Sequence, residues 1–315
     1  MEKSFYLLEN PHVFQGENKL KHTSCYFEGW YFKNTGIDSS ISFIPGIHIE
    51  NGKKSAFIQI ITNYSSYYIS YPFSEFQFSY EPFSINIGNN FFSLDKITID
   101  IQDKDISISG ELVYNNHIKI RKSIFSPNIM GPFSFIPFME CNHAILSMKH
   151  EITGFLTINN KDYNFNNGIG YIEKDWGSSF PTSYVWTQAN NFEKQNVSFF
   201  LSVATIPLSF FSFTGFICTL ILDGKEYRFA TYNGSKIIKY NTSQNNFNIK
   251  LKSKNYILHI YSNNKDSFSL KAPRCGSMNK EIYESINSNI YICLSQNENI
   301  LFEGESTNAG LEIVL

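Results

Sequence analysis

Charged side chains are scarce in this sequence: Asp, Glu, Lys and Arg supply 17% of 315 residues and nearly cancel, leaving a formal net charge of −2. That balance offers no electrostatic footprint for nucleic acid, which needs a clustered cationic face to displace phosphate counterions. Cysteine is also sparse. The five residues, Cys25, Cys141, Cys218, Cys275 and Cys293, are odd in number and far apart, with no CxxC or other metal-ligand spacing, and read as reduced, mostly buried thiols. The N-terminal stretch MEKSFYLLENP places Glu2, Lys3 and Glu9 where a signal peptide needs an apolar run, so secretion is not expected and the cytoplasm is the expected compartment. Helical periodicity, internal repeats and low-complexity linkers are missing as well.

One long uncharged run is present, from Val197 to Leu222. A membrane-spanning helix needs about 20 apolar residues. Here Pro207 interrupts the run, hydroxyl side chains recur, and Phe, Val, Ile and Thr favour extended backbone. Two buried strands joined near Ile206 to Phe213 are therefore expected rather than a span.

What the chain does have is apolar bulk and strand patterning. Hydrophobic residues make up 42%, enough for a packed core, and 30 Phe with 19 Tyr raise the aromatic share to 17%. In ITIDIQD, Ile97, Ile99 and Ile101 alternate with polar residues; in FNIKLK, Phe247, Ile249 and Leu251 do the same. Asn51-Gly52, Asp223-Gly224 and Asn233-Gly234 supply residues tolerant of positive φ at expected hairpin turns. The pattern predicts an all-β protein of two antiparallel barrel or sandwich domains, 1–160 and 161–315. The division is placed after the Gly131-Pro132 and Pro137 region and before Gly168.

Three clusters could carry chemistry. In YFEGWYFK, Tyr26, Glu28, Trp30 and Phe32 share one strand face, while Phe27, Gly29 and Tyr31 point the other way. An acid among rings has two explanations. Either Glu28 pairs with a Lys or Arg of a neighbouring strand, or it lines a dry cavity and stays protonated as an acid. In GYIEKDWGSSFP, an extended backbone puts Tyr171, Glu173 and Asp175 on one face and turns Lys174 away. Two like charges so placed divide their proton affinities, the usual basis for separate acid and base roles; alternatively Asp175 caps the turn at Trp176-Gly177. In GPFSFIPFMECNHAILSMKH, Glu140, His143 and His150 lie close in sequence. Because the stretch reads as extended, ExxH does not align as zinc ligands, and no metal is expected. Hydrogen-bonded core histidines are the plain reading, although either could shuttle a proton.

YFEGWYFK, PFMECNHAILSMKHEITG, GYIEKDWGSSFP with YVWTQANNF, and FEGESTNAGLEIVL, in that order from about Ser24 to the C-terminus, resemble the tocopherol cyclase family. Tyr184 stands where a Trp is expected ahead of Trp186, and Asn191 where a His is usual before Phe192. The resemblance implies two lipocalin-like domains packed together, similar to those of carotenoid hydratases. It also implies redox-neutral closure of a prenylated hydroquinone to a chromanol, without a cofactor. That chemistry protonates a trisubstituted alkene and traps the tertiary cation with a phenolic oxygen. It needs a carboxylic acid in a dry site, with Glu173 favoured, Glu28 second, and Asp175 and His143 in support. It also needs rings to hold the cation, for which Tyr26, Trp30, Tyr171, Trp176, Tyr184 and Trp186 are the candidates. Glu140, Gln188 and Asn190 complete the expected substrate-contacting set. The alternative is a non-catalytic lipid or isoprenoid carrier using the same cavity. A glycosidase using Glu28 and Glu173 as a carboxyl pair fits less well, since it needs a polar, open cleft. The expected ligand is an apolar small molecule, and peripheral membrane contact to collect it stays open.

Overall fold

The alternation read from the sequence is realised as strands along almost the whole chain. The computed structural model describes residues 2–136, 139–193, 196–208, 211–263 and 266–315, so Pro137, used above for the domain boundary, lies outside the described residues. Two short helices, α1 (Glu2–Glu9) and α2 (Lys19–His22), precede the first sheet. Its strands are β1 (Cys25–Thr35), β2 (Ser40–Glu50), β3 (Lys53–Thr62), β4 (Ser66–Pro72), β5 (Phe76–Tyr80), β6 (Phe83–Ile87), β7 (Asn90–Phe92), β8 (Lys96–Gln102), β9 (Ser107–Ile118), β10 (Cys141–Ile158), β11 (Lys161–Asn164) and β12 (Gly168–Gly177). The second sheet comprises β13 (Tyr184–Ala189), β14 (Val197–Leu208), β15 (Phe211–Leu222), β16 (Lys225–Ala230), β17 (Lys236–Thr242), β18 (Asn246–Ser253), β19 (Tyr256–Asn263), β20 (Phe268–Arg274), β21 (Ser277–Gln296) and β22 (Asn299–Val314). The protein is all-β and lipocalin-like, as expected.

The chain divides into two compact units, 1–180 with 270–281, and 181–269 with 282–315. The boundary expected at 160/161 coincides with the Asn159–Asn160 turn between β10 and β11. This turn lies inside the first unit because β12, which follows it, returns to pair with both β10 and β1.

In the first unit the strand order is β4-β3-β2-β1-β12-β10-β9-β8-β7-β6-β5, with β11 on β10. The sheet curls into a nearly closed barrel. Its inside is packed with Trp30, Phe32, Phe43, Phe92, Ile97, Ile99 and Ile101, among others, so ITIDIQD is wet on one face and dry on the other. The N-terminal segment enters this core: Val13 and Phe14 are buried in it, and Phe14 meets Phe78 and Phe76 at ring separations of 4.6 and 5.3 Å.

In the second sheet the order is β16-β15-β14-β13-β22-β21-β19-β18-β17, with β20 on β21. Its core contains Phe247, Ile249 and Leu251 from the second alternating motif, together with Phe199, Leu201, Cys218 and Leu220. The uncharged run forms the antiparallel pair β14 and β15, two strands as expected, buried over Val197–Val203 and Phe216–Leu222 for the most part; residues 209–210 lie outside the described residues. Among the described residues no helix is long and apolar enough to cross a membrane. Asn51-Gly52 and Asp223-Gly224 take positive φ in hairpin turns. Asn233-Gly234 does not make a hairpin. It ends a 3₁₀ turn, Thr231–Asn233, and the flanking strands β16 and β17 lie at opposite edges of the sheet.

Candidate functional site

The residues singled out in the sequence fall into separate groups because antiparallel pairing sends alternate side chains to opposite faces. On β1, Glu28 stands directly opposite Trp176 of β12, and Trp30 opposite Lys174; these four side chains, with Tyr26, point into the first barrel. Glu28 is fully buried and its carboxylate is saturated. Oε1 lies 2.5 Å from Lys174 Nζ and accepts from Gln15 N–H at 2.8 Å; Oε2 accepts from Gly16 N–H at 2.8 Å and from Tyr26 Oη at 2.7 Å.

Lys174 is equally buried. It donates to Pro11 O at 2.9 Å and Val13 O at 2.5 Å, and lies 4.7 and 4.9 Å from the ring centroids of Trp30 and Trp176. Burial pulls the Lys174 ammonium down to about 8 and attraction to Glu28 opposes the fall, so it is cationic at neutral pH. Trp30 Nε1 donates to His12 O at 2.8 Å. Glu28 is thus the paired carboxylate of the first explanation, not an uncharged acid in an aromatic cavity. The rings around it hold an ion pair that fastens residues 11–16 into the barrel mouth.

The reason was partly visible in the sequence. Alternation turns Lys174 away from Glu173, but only the β1–β12 register shows that this direction leads to Glu28.

The other face of the same strands carries a second cluster. Register places Glu173 opposite Tyr31 of β1 and Ile145 of β10, and Asp175 opposite His143. His143 Nδ1 is 2.8 Å from Asp175 Oδ1, and its Nε2 is 3.6 Å from Glu173 Oε2. Tyr171, fully buried, donates to Glu173 Oε2 at 2.5 Å. Cys141 Sγ approaches Asp175 Oδ1 at 3.9 Å.

Burial opposes a charge on His143, but Asp175 and Glu173 outweigh it and push the imidazole up to about 9. Burial, then the neighbouring Glu173, pushes the Tyr171 phenol well above its usual range. Burial, then Asp175 and Glu173, does the same to the Cys141 thiol. The result is a partly buried carboxyl–imidazole–carboxyl cluster, with Glu173 at its buried end, that keeps a proton at neutral pH.

Asp175 does not cap the turn at Trp176-Gly177 as one reading anticipated. Glu140 O does so, accepting from Ser178 N–H at 2.8 Å and Ser179 N–H at 3.2 Å, while the Glu140 residue as a whole is exposed. Glu28 and Glu173 face opposite sides of the sheet, which removes the paired-carboxyl geometry a glycosidase needs.

His143, Glu173 and Asp175 offer ligand atoms within 4.8 Å of one another, a donor set able to hold a cation. The sequence sought a partner for His143 within its own segment; sheet pairing supplies two from β12 instead. His150 behaves differently. It is buried against Tyr114 and His117, and burial, then His117, drives its imidazole well below 6.5, making it a neutral core histidine.

Tyr31 and Lys33, both buried, share the cluster's face of β1. Tyr31 accepts from Ser42 Oγ at 3.1 Å and meets the Tyr171 ring edge-on at 6.4 Å. The alternation that places Glu28 with Trp30 also places these two on the opposite face.

Tyr184, Trp186, Gln188 and Asn190 belong to the second unit and are all buried. Tyr184, Trp186 and Gln188 alternate on β13 away from its core-facing Val185 and Ala189, and Tyr184 Oη donates to Glu312 Oε2 at 2.5 Å. A cavity of about 320 Å³ in the first unit is lined by Ser40, Asn63, Tyr67, Lys161, Tyr163 and Phe165, among others, and by none of the expected site residues.

These features define an all-β, lipocalin-like protein with a partly buried carboxyl–imidazole–carboxyl cluster. Residues 113–315 match the tocopherol cyclase-like family, and the chain belongs to it. The match begins within β9, beyond YFEGWYFK. A relative from Oryza sativa subsp. japonica, named "Probable tocopherol cyclase, chloroplastic", is 24% identical over 149 residues, 45% of this chain. The matched stretch spans 31% of that relative's length. Among solved structures, CghA with Sch210972 superposes with a TM-score of 0.58 at 8% identity, covering 93% of this chain and 89% of that one. A protein from Nitrosomonas europaea described as "a putative AttH" does so at 0.53 and 10%, covering 96% and 97%. At such identities the likeness is one of fold.

Proposed function

We propose that the protein is a redox-neutral cyclase that uses proton transfer to close a prenylated hydroquinone, or a related isoprenoid, to a chromanol-type product. The observation that carries this reading is the partly buried Glu173–His143–Asp175 cluster with Tyr171 hydrogen-bonded to Glu173.

A proton passes from the His143 imidazolium to Glu173, and the resulting carboxylic acid delivers it to the alkene. The tertiary cation so formed is held by the electron-rich faces of Tyr171 and Tyr31, an attraction of about 2 kcal/mol or more where water is absent. The substrate's phenolic oxygen then bonds to the cation, and its proton returns to the cluster. Atoms and charge balance, and the product has the mass of the substrate. Asp175 orients His143 and keeps it protonated between turnovers. Glu28, fastened to Lys174, is assigned no chemical step.

Incubation with prenylated hydroquinones of graded tail length, followed by chromatography and mass spectrometry, tests the reading. A product of unchanged mass and shifted retention is expected. Glu173→Gln should lower turnover at least ~100-fold, the lower range for a general acid, while changing substrate affinity only a few-fold. No turnover on any quinol, or full turnover by Glu173→Gln, overturns it; binding without turnover by the wild type favours the carrier reading.

A further inference from the structure

The connection from β9 to β10 presents apolar side chains to solvent where an ordinary loop presents polar ones. Ser123 and Ser126 exchange both backbone N–H···O bonds at 3.0 Å, closing a tight turn with Ile124 and Phe125 at its tip. Each of these two side chains is 79% exposed. Further along, Phe135 and Ile136 are 45% and 42% exposed. The turn is braced from behind: Asn128 Oδ1 accepts from Met130 N–H at 2.9 Å and Ser134 Oγ at 2.6 Å, and Ser126 Oγ donates to Asn128 O at 3.2 Å.

Charge on the approach to the tip has one sign. Lys119, Arg121 and Lys122 are exposed, and no Asp or Glu occurs from His117 to Ile136. Lys122 donates to Glu9 O at 3.0 Å and lies near the exposed Glu9 carboxylate, which offsets part of its charge.

We propose that this tip is a membrane-docking element: Ile124 and Phe125 enter the acyl boundary of an anionic bilayer while Lys119, Arg121 and Lys122 meet its headgroups. Two bulky apolar side chains on a two-residue turn can enter a bilayer without unfolding anything, and the flanking Ser123 and Ser126 pair their backbone polar groups across the turn. The adjoining cations select a negatively charged surface over a neutral one. The proposal does not depend on the reaction assigned above.

Sedimentation with vesicles of phosphatidylcholine alone, or of phosphatidylcholine mixed with phosphatidylglycerol, tests it. The full chain should bind the mixed vesicles more tightly, and added salt should weaken that binding. Ile124→Ser with Phe125→Ser should cost roughly tenfold or more in partitioning, and Lys119→Gln with Arg121→Gln should abolish the preference for the anionic lipid. Unchanged melting temperatures would establish that the variants fold. As a second measurement, Phe125→Trp should be quenched by brominated acyl chains when the protein is on the vesicle.

No binding to either vesicle overturns the proposal. So does retained binding by the Ser variant, or binding without quenching of the tip. A concentration-dependent dimer in ultracentrifugation that the Ser variant abolishes would give the tip to a second copy of the chain and likewise overturn it.

Discussion

Glu28 and Glu173 carry the same functional group on adjacent strands and meet opposite surroundings. Glu28 has three hydrogen-bonding partners and a buried ammonium. Removing one member of such a pair leaves a buried charge uncompensated and typically costs about 3–5 kcal/mol. Lys174→Met should therefore lower the unfolding free energy by that order in urea titration, and amide exchange at Gln15 and Gly16 should accelerate as the N-terminal segment loosens.

Glu173 instead shares its surroundings with His143, whose imidazole rises from 6.5 to about 9 on folding. In this range the folded state binds more protons than the unfolded one, so stability falls as pH rises. The contribution is complete below about 6.5, is lost as pH passes through about 9, and amounts to roughly 3 kcal/mol by linkage. Urea midpoints of the wild type should fall between these limits more steeply than those of His143→Gln; parallel slopes would remove the imidazolium from its place. The sequence exposed Glu28 as an acid among rings but could not name its partner, since Lys174 lies on a remote segment. It did place Tyr171, Glu173 and Asp175 together, because one strand's alternation suffices for that.

Strand β12 is the element on which both clusters depend. Its even-numbered residues Lys174 and Trp176 face the barrel interior, its odd-numbered Tyr171, Glu173 and Asp175 the other side, and it lies between β1 and β10. A one-residue slip would exchange the two sets and put Glu173 in the core. Gly170 helps to define the register: a Cβ there would stand 2.0 Å from His150 Nε2, whose ring is buried against Tyr114 and His117. Gly170→Ala should destabilise the protein by about 1–3 kcal/mol through overpacking. Combination with His150→Ala should cost less than the sum of the two single changes, read as a double-mutant cycle in urea. A strictly additive cycle would show that the contact does not set the strand's position. Nothing in GYIEKDWG announces this contact, because its other half belongs to β10.

At the scale of the molecule, each unit has its own core, yet the first is not a continuous segment. Residues 270–281 return to it: Gln59 exchanges two hydrogen bonds with Lys271 at 2.9 and 2.8 Å, Phe180 N–H donates to Pro273 O at 3.1 Å, and Gly276 N–H to Ser178 O at 2.8 Å. A fragment ending at 180 leaves these groups unmatched, and one ending at 160 also loses β12 from between β1 and β10. The 1–160 fragment should fail to fold, and 1–180 should unfold at lower urea than the same unit in the full chain, as followed by circular dichroism. A natively folded 1–160 would contradict the sheet order.

The amino-acid sequence determined the all-β class, the dry and wet faces of strands such as β8 and β18, the two-strand nature of the uncharged run, and the shared face of Tyr171, Glu173 and Asp175. These are consequences of a two-residue repeat that the backbone imposes locally. Only the tertiary structure decided that Glu28 is neutralised by Lys174, that His143 bridges two carboxylates, and that residues 270–281 join the first unit. Each of these rests on pairing between segments remote in the chain, and alternation says which way a side chain points without saying what it meets.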